Sequence, residues 1–487
     1  MKTSLRLRVV AWAATALVAA CGGGGGGRPE PEKPAPVVPE ETRAQDSKTY
    51  TPANPAATTF AAMAGVVVGT DRWAGVLNGA SYQVEVPAAW NGKLVMYAHG
   101  YAGEVPTLNV APPSIRRYLI ENGYAWAASS YSKNSYDVRA GVEDTNALAL
   151  AFNNIASANG RALPTPSRLY ITGHSMGGHI TGAAIEEETY ATARNKVRYH
   201  GAVPMCGVMG DTDLFNRFAG MQVTAQALAG VPSYPFNKWS EIQGLVTNTL
   251  FAVFNNTNIV PTAQGVKYLS VVENLTGGDR PLFDQGVLFG QSFQSAYGLF
   301  GSDGTVFGIL NKNILDTNAW TYVIDGDVPG SAALNASVLK LTAAPDANRL
   351  RRDGLRWIPA INGDFKVPVV SIHTLGDLFV PFSMQQVYQQ RAAAKGNSGL
   401  LVQRAIRGAS HCDFTNAEQV QAFVDMVAWA EGGPKPAGDD VVTPATVAAP
   451  TYGCAFTNNT LGPDDVGTAA SVLRPAIANA LPGVCPP

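Results

Sequence analysis

Cysteine and histidine are scarce in this chain of 487 residues, at five and six copies. The cysteines form no CxxC pair, HExxH is missing, and no GxGxxG stands at the end of a strand. Zinc-site, metalloprotease and dinucleotide-binding readings therefore have little to rest on, and no metal or organic cofactor is expected. Charge is thin, at 15% of residues, with 35 Lys+Arg against 37 Asp+Glu. No basic stripe marks a nucleic-acid partner. Long apolar runs are missing except near the N-terminus, where residues 9–20 follow Lys2, Arg6 and Arg8. That pattern is a secretory signal over 1–20, too short to span a bilayer. Taking those three cations from the 35 leaves 32 against 37 acidic residues, a net charge of about −5.

Val18-Ala19-Ala20-Cys21 closes the signal. The tetrapeptide resembles the lipobox of bacterial lipoproteins, which implies cleavage before Cys21 and diacylation of its thiol, with the membrane as a partner through that anchor. Six glycines follow, then Arg-Pro-Glu-Pro-Glu-Lys-Pro-Ala-Pro at 28–36. Such a composition forms no core, so 21–58 is expected to be a tether reaching on the order of 30 Å or more. Asp is absent after Cys21, which resembles outer-membrane sorting. The expected location is the cell envelope, or secretion.

Residues 169–178 read Leu-Tyr-Ile-Thr-Gly-His-Ser-Met-Gly-Gly, an apolar strand running into a GxSxG pentapeptide and then a helix-compatible segment with Ile180, Ala183, Ala184 and Ile185. A strand-turn-helix context is what this motif needs to present Ser175 as a nucleophile. A nucleophilic serine also needs a base and an orienting acid, expected in the chain order Ser, Asp or Glu, His. That order removes the histidines before Ser175, and His179 and His200 belong to the elbow helix and the next strand, which leaves His411 and His373. His411 lies in a loop, Arg407-Gly408-Ala409-Ser410-His411-Cys412-Asp413-Phe414, before a helix signalled by a Thr415/Glu418 capping box. His373 sits inside the apolar run 367–372 and its neighbours, where a structural hydrogen bond is the plainer role. His411 is favoured as base. Asp377, after Gly376 at the end of that run, is favoured as acid over Asp211 and Asp213.

An early apolar strand, 93–98, ends in His99-Gly100-Tyr101-Ala102-Gly103. His-Gly-x there, Gly-His-Ser-Met-Gly-Gly later, then Gly-Asp and Ser-His in late loops together resemble the α/β-hydrolase superfamily of serine esterases. That resemblance implies oxyanion donors from the backbone N–H groups of Met176 and of Tyr101 or Ala102, with His99 shaping the loop.

Strands at 81–86, 94–98, 123–129, 169–172 and 199–205 alternate with helices near 114–121 and 142–156, which argues for a mostly parallel sheet covered on both faces. The expected fold is an α/β-hydrolase with a large cap between the sixth and seventh strands. The expected division is a core over 59–212, a cap over 213–363, more core over 364–433 and a C-terminal extension over 434–487. Phe251, Phe254, Phe293 and Tyr297 of the cap are pocket candidates, though such residues more often form core.

Without Cys21, the cysteines number four, Cys206, Cys412, Cys454 and Cys485, even in an oxidising compartment. Two disulfides are expected; three pairings are open. One of them, Cys206 with Cys412, would pin the histidine loop to the sheet and leave Cys454 and Cys485 to close the C-terminal segment. The His411-Cys412 pair also resembles tannase and feruloyl-esterase hydrolases, but His174 and not cysteine precedes Ser175. The expected function is a serine hydrolase of carboxylic esters, small or polymeric. A peptidase or amidase on the same residues and a catalytically silent surface-binding lipoprotein are the alternatives.

Overall fold

The structure, a computed structural model, describes residues 40–301, 308–481 and 483–485. The expected signal 1–20, the lipidation site Cys21 and the tether up to residue 39 lie outside the described residues.

Residues Glu40–Pro487 form one compact unit around an eight-stranded sheet. Its strands are β1 Thr70–Leu77, β2 Ala80–Pro87, β3 Lys93–Ala98, β4 Ala125–Ser129, β5 Arg168–His174, β6 Gly201–Met205, β7 Val369–Thr374 and β8 Leu401–Ile406. They lie side by side in the order β8-β7-β6-β5-β3-β4-β2-β1. β1 pairs antiparallel with β2 and β2 with β4; every other pairing is parallel.

The helices that cover the sheet are α1 Arg116–Glu121, α2 Val138–Ala158, α3 Met176–Ala184, and, after the insertion described below, Ser383–Ala394 and Asn416–Ala430. Alternation along each strand splits the core in two. Leu94, Met96 and Ala98 of β3 pack with Val142 and Phe152 of α2 and Ile180 of α3, whereas Val95 and Tyr97 pack with Leu119 of α1 and Phe423 and Met426 of the Asn416–Ala430 helix. β6, β7 and β8 are buried along their whole length, and the polar residues among them, Ser371, His373, Thr374, Gln403 and Arg404, are held by hydrogen bonds. A run of six parallel strands, an antiparallel edge and helices on both faces make this an α/β-hydrolase fold.

The insertion lies between β6 and β7, the sixth and seventh strands. It holds α4 Asp213–Leu228, α5 Trp239–Leu250, α6 Ala263–Thr276, α7 Phe283–Leu288, α8 Ser292–Tyr297 and α9 Val328–Ser337. A short hairpin, Phe251–Phe254 with Ile259–Pro261, follows α5 directly. The four aromatic residues considered for a pocket pack instead among themselves. Phe254 and Tyr297 have ring centroids 4.8 Å apart, Phe251 and Phe293 6.1 Å, and Phe251, Phe293 and Tyr297 are buried. They form the insertion's own core.

The tether cannot extend to residue 58. Arg43 is buried, pairs with Asp137 at 2.7 Å and stacks 3.6 Å over Trp357. Gln45 is fully buried, and Thr51–Pro52 pairs in parallel with Thr107–Leu108. A local reading of composition misses this, because the partners are 56 to 314 residues away. The segment 434–487 likewise packs on the domain, with Val441, Val447, Tyr452 and Ile477 against Leu375 and Ala409.

For the rest of the chain, Ser383–Ala394 is α10 and Asn416–Ala430 is α11. Thr415 and Glu418 form the capping box at the start of α11.

Candidate active site

Ser175 stands between β5 and α3 with φ 58° and ψ −120°, a conformation that a non-glycine residue adopts at a cost of about 1–3 kcal/mol. The neighbouring glycines are required by contact. A Cβ on Gly177 would stand 2.0 Å from the Ala98 carbonyl oxygen, and one on Gly173 would stand 2.4 Å from that of Gly177. The Ser175 N–H donates to the Met205 carbonyl at 3.0 Å, tying the turn to β6.

The loop after β8 brings His411 to this serine. His411 Nε2 is 2.8 Å from Ser175 Oγ, and Nδ1 is 2.6 Å from Asp377 Oδ2. Asp377 is fully buried in the loop after β7, and its Oδ1 accepts the N–H groups of Phe379 and Val380 at 2.9 Å each. Those bonds leave Oδ2 facing the imidazole and fix its orientation. With Nδ1–H donating to Asp377, Nε2 is the acceptor for the serine hydroxyl.

The competing residues are engaged elsewhere. His373 is fully buried, its Nε2 donates to the Val380 carbonyl at 2.7 Å, and burial lowers its pKa. Asp211 binds Arg391 at 2.6 Å and the Ile361 N–H at 3.0 Å, and Asp213 binds Arg217 at 2.8 Å.

Two other histidines shape the site from behind. His99 Nδ1 donates to the Gly100 carbonyl at 2.7 Å, its ring stacks on Tyr131 at 4.1 Å, and burial lowers its pKa. Gly100 then runs so close to the nucleophile that its Cβ would be 3.3 Å from Ser175 Cβ. The backbone of Tyr101 follows directly. Met176 is the first residue of α3, so its N–H has no acceptor inside the helix and points to the same end. His174 accepts from Tyr97 Oη at 3.1 Å and donates from Nε2 to Gln419 at 3.0 Å. Burial holds its pKa down at about 4, so it is neutral.

Cys206, immediately after β6, is disulfide-bonded to Cys412, with Cα atoms 5.3 Å apart, and Cys454 is bonded to Cys485. The first bridge joins the residue after His411 to the residue after the carbonyl that anchors Ser175. Among the described residues, Cys206, His411 and Cys412 are the group with metal-ligand spacing, but both sulfurs are spent in the bridge.

Several residues around the site have no local sequence signal. Ser410 Oγ donates to the Gly290 carbonyl at 2.5 Å, and Ser292 Oγ accepts from the Leu378 N–H at 3.0 Å, so the α7–α8 turn of the insertion rests on both the base loop and the acid loop. Arg280, buried, donates from Nε to the Leu375 carbonyl at 2.9 Å. Burial brings its pKa down to about 10, while the carboxylates of Glu273 and Asp377 favour its charge. Arg474, from the C-terminal segment, binds Glu418 with 3.0 Å contacts to both carboxylate oxygens and reaches Asp413 Oδ1 at 3.7 Å. Asp413 Oδ2 in turn accepts the Ala409 N–H at 3.0 Å. All three ion partners are nearly fully buried.

No family model matches the chain. An o-phthalyl amidase from Xanthobacter agilis is 34% identical over 65 residues, a stretch that covers 13% of this chain and 14% of that protein. Among solved structures, an esterase from Aspergillus oryzae superposes with a TM-score of 0.44 at 13% identity, over 82% of this chain and 86% of that one. Feruloyl esterase B from the same organism gives 0.41 at 15% identity over 77% and 82%. Candida antarctica lipase A in its closed state gives 0.36 at 16% identity over 83% and 85%. Likenesses this distant assign no activity to the chain. Two disulfides suggest an extracellular or envelope location, and among the described residues no helix is long and apolar enough to cross a membrane.

Proposed function

We propose that the protein is a serine hydrolase of carboxylic esters, with Ser175 as nucleophile, His411 as general base and acid, and Asp377 as the group that orients the imidazole. The unbroken line Asp377 Oδ2, His411 Nδ1, His411 Nε2, Ser175 Oγ, with links of 2.6 and 2.8 Å, carries this reading. Ser175 Oγ attacks the ester carbonyl carbon as its proton passes to His411 Nε2. The C–O bond to the alcohol breaks, His411 returns the proton to the leaving oxygen, and an acyl-Ser175 ester remains. Water, deprotonated by His411, attacks that ester and releases the acid and the serine. The N–H groups of Met176 and Tyr101 hold the oxyanion, each worth ~3 kcal/mol in the transition state.

The enzyme works outside the inner membrane, anchored by a diacylated Cys21 and held off the lipid by residues 22–39. A tethered enzyme suits esters too large for uptake as well as small ones.

Amide hydrolysis on the same residues is the second reading, favoured by the local identity to o-phthalyl amidase. Matched esters and anilides of the same acyl group, turned over by the purified full chain, separate the two. The ester reading expects kcat/KM for the ester to exceed that for the anilide by several orders of magnitude. Comparable values would replace it with the amidase reading.

A further inference from the structure

Phe379 is two residues beyond Asp377, and its N–H is one of the two donors that hold the Asp377 carboxylate. Its ring meets the His411 ring edge-on, with centroids 5.4 Å apart and planes at 71°. Phe218 also lies against it, at 6.2 Å, followed by Phe215 at 6.5 Å from Phe218 and Tyr136 at 5.3 Å from Phe215. Phe215 and Phe218 are three residues apart on α4, so they share one face of the first helix of the insertion. The aromatic cluster inside the insertion is closed, since Phe251, Phe293 and Tyr297 are buried. This second row differs, because Phe379 and Phe215 are half-buried, as are Ser175 and His411 beside them.

We infer that Phe379, backed by Phe218 and Phe215, is the wall of a subsite for an aromatic ring on the leaving alcohol of the ester, an inference that rests on the hydrolase reading above. The side follows from the proton path. His411 Nε2 serves Ser175 first and the leaving oxygen afterwards, so the alcohol lies on the imidazole's side of the carbonyl, where Phe379 touches His411. The ring preference follows from geometry. An aryl group beside Phe379 meets a rigid ring already in edge-to-face contact with one neighbour, and aromatic pairs add a factor of about two to ten beyond what their buried area supplies. A saturated ring of the same size gains the area alone. Phe379 is a specificity-determining residue, and its anchoring to Asp377 keeps the wall in register with the base.

The test compares 2-phenylethyl acetate with 2-cyclohexylethyl acetate, whose leaving alcohols are matched in reach, and methyl phenylacetate with methyl cyclohexylacetate. The purified full chain, Phe379→Leu and Phe215→Leu are assayed, with competent sites counted by a small fluorophosphonate. The expected result is an aryl preference of about fivefold in kcat/KM for the first pair, falling towards one in Phe379→Leu and part of the way in Phe215→Leu. An aryl preference confined to the methyl ester pair overturns the assignment to the alcohol side. A fall in both members of the first pair with their ratio preserved overturns it too, because Phe379 would then only support His411. If Ser175 takes no label and no ester turns over, the hydrolase reading fails and this subsite falls with it. That pattern is distinct from an active enzyme with a flat ratio.

Discussion

Arg474→Met is expected to damage the site from a helix that touches neither substrate nor nucleophile. Arg474 is the cation shared by Glu418 and Asp413, and the side chains of those carboxylates are fully buried. Methionine keeps much of the volume but removes the charge. Breaking a buried pair in this way leaves uncompensated carboxylates and costs about 3–5 kcal/mol. Unfolding entropy is about 2.1 cal/mol/K per residue, so roughly 450 folded residues give ~0.9 kcal/mol/K and a melting temperature lowered by about 4 °C. The pH dependence has a definite sign. Burial raises the pKa of both Asp413 and Glu418, and Arg474 opposes the rise. Without Arg474 both rise further above their unfolded values, so the variant's stability is fullest below the unfolded pKa of about 4 and is lost as pH rises through the folded values. Thermal melts of wild type and variant at pH 7.5 and pH 4.5 should show a larger deficit at pH 7.5. Turnover should fall as well, since Asp413 holds the Ala409 N–H two residues before His411. Equal melting at pH 7.5, or the same deficit at both pH values, would refute the reasoning.

Gly177→Ala places a methyl group 2.0 Å from the Ala98 carbonyl, a backbone atom that cannot swing away. The elbow must shift, with a cost of about 3 kcal/mol or more and the loss of most fluorophosphonate labelling, read by denaturant melts and gel fluorescence. Cys206→Ser with Cys412→Ser opens a loop of sequence separation 206, worth about 5 kcal/mol on a chain-entropy estimate. The midpoint in urea should fall accordingly, and kcat should fall with it. His174, held near pKa 4 by burial, binds fewer protons folded than unfolded, so stability is present above about pH 6.5 and is lost as pH falls towards 4, by roughly 3 kcal/mol. His174→Phe should flatten that part of the stability curve in urea melts run from pH 7 to pH 4.5.

The elbow was legible because its chemistry is local. Gly173, Ser175 and Gly177 stand within five residues, and the strand and helix that carry them show their own periodicity. His411 and Asp377 were legible through chain order, each following an apolar run that became β8 and β7. The edge strand β1 was not picked out, since Thr70–Leu77 alternates weakly and has a glycine and two charged residues among its eight positions. Residues 40–58 resemble tether because Arg43 and Gln45 are polar, and it is distant partners such as Asp137, Trp357 and Asn134 that turn them into core. The roles of Arg280, Arg474 and Phe379 depend on contacts made across the tertiary fold. Nothing in the spacing of one charged or aromatic residue says which distant loop it will meet.

Labelling of the purified full chain with a fluorophosphonate, followed by peptide mass spectrometry on wild type, Ser175→Ala and His411→Ala, tests the central claim most directly. A nucleophile activated by His411 should carry the phosphonyl group on Ser175 in the wild type, with no label in Ser175→Ala. In His411→Ala, reaction should slow by on the order of 10⁴-fold. A folded wild type that takes no label, or labelling of a serine other than Ser175, would contradict it.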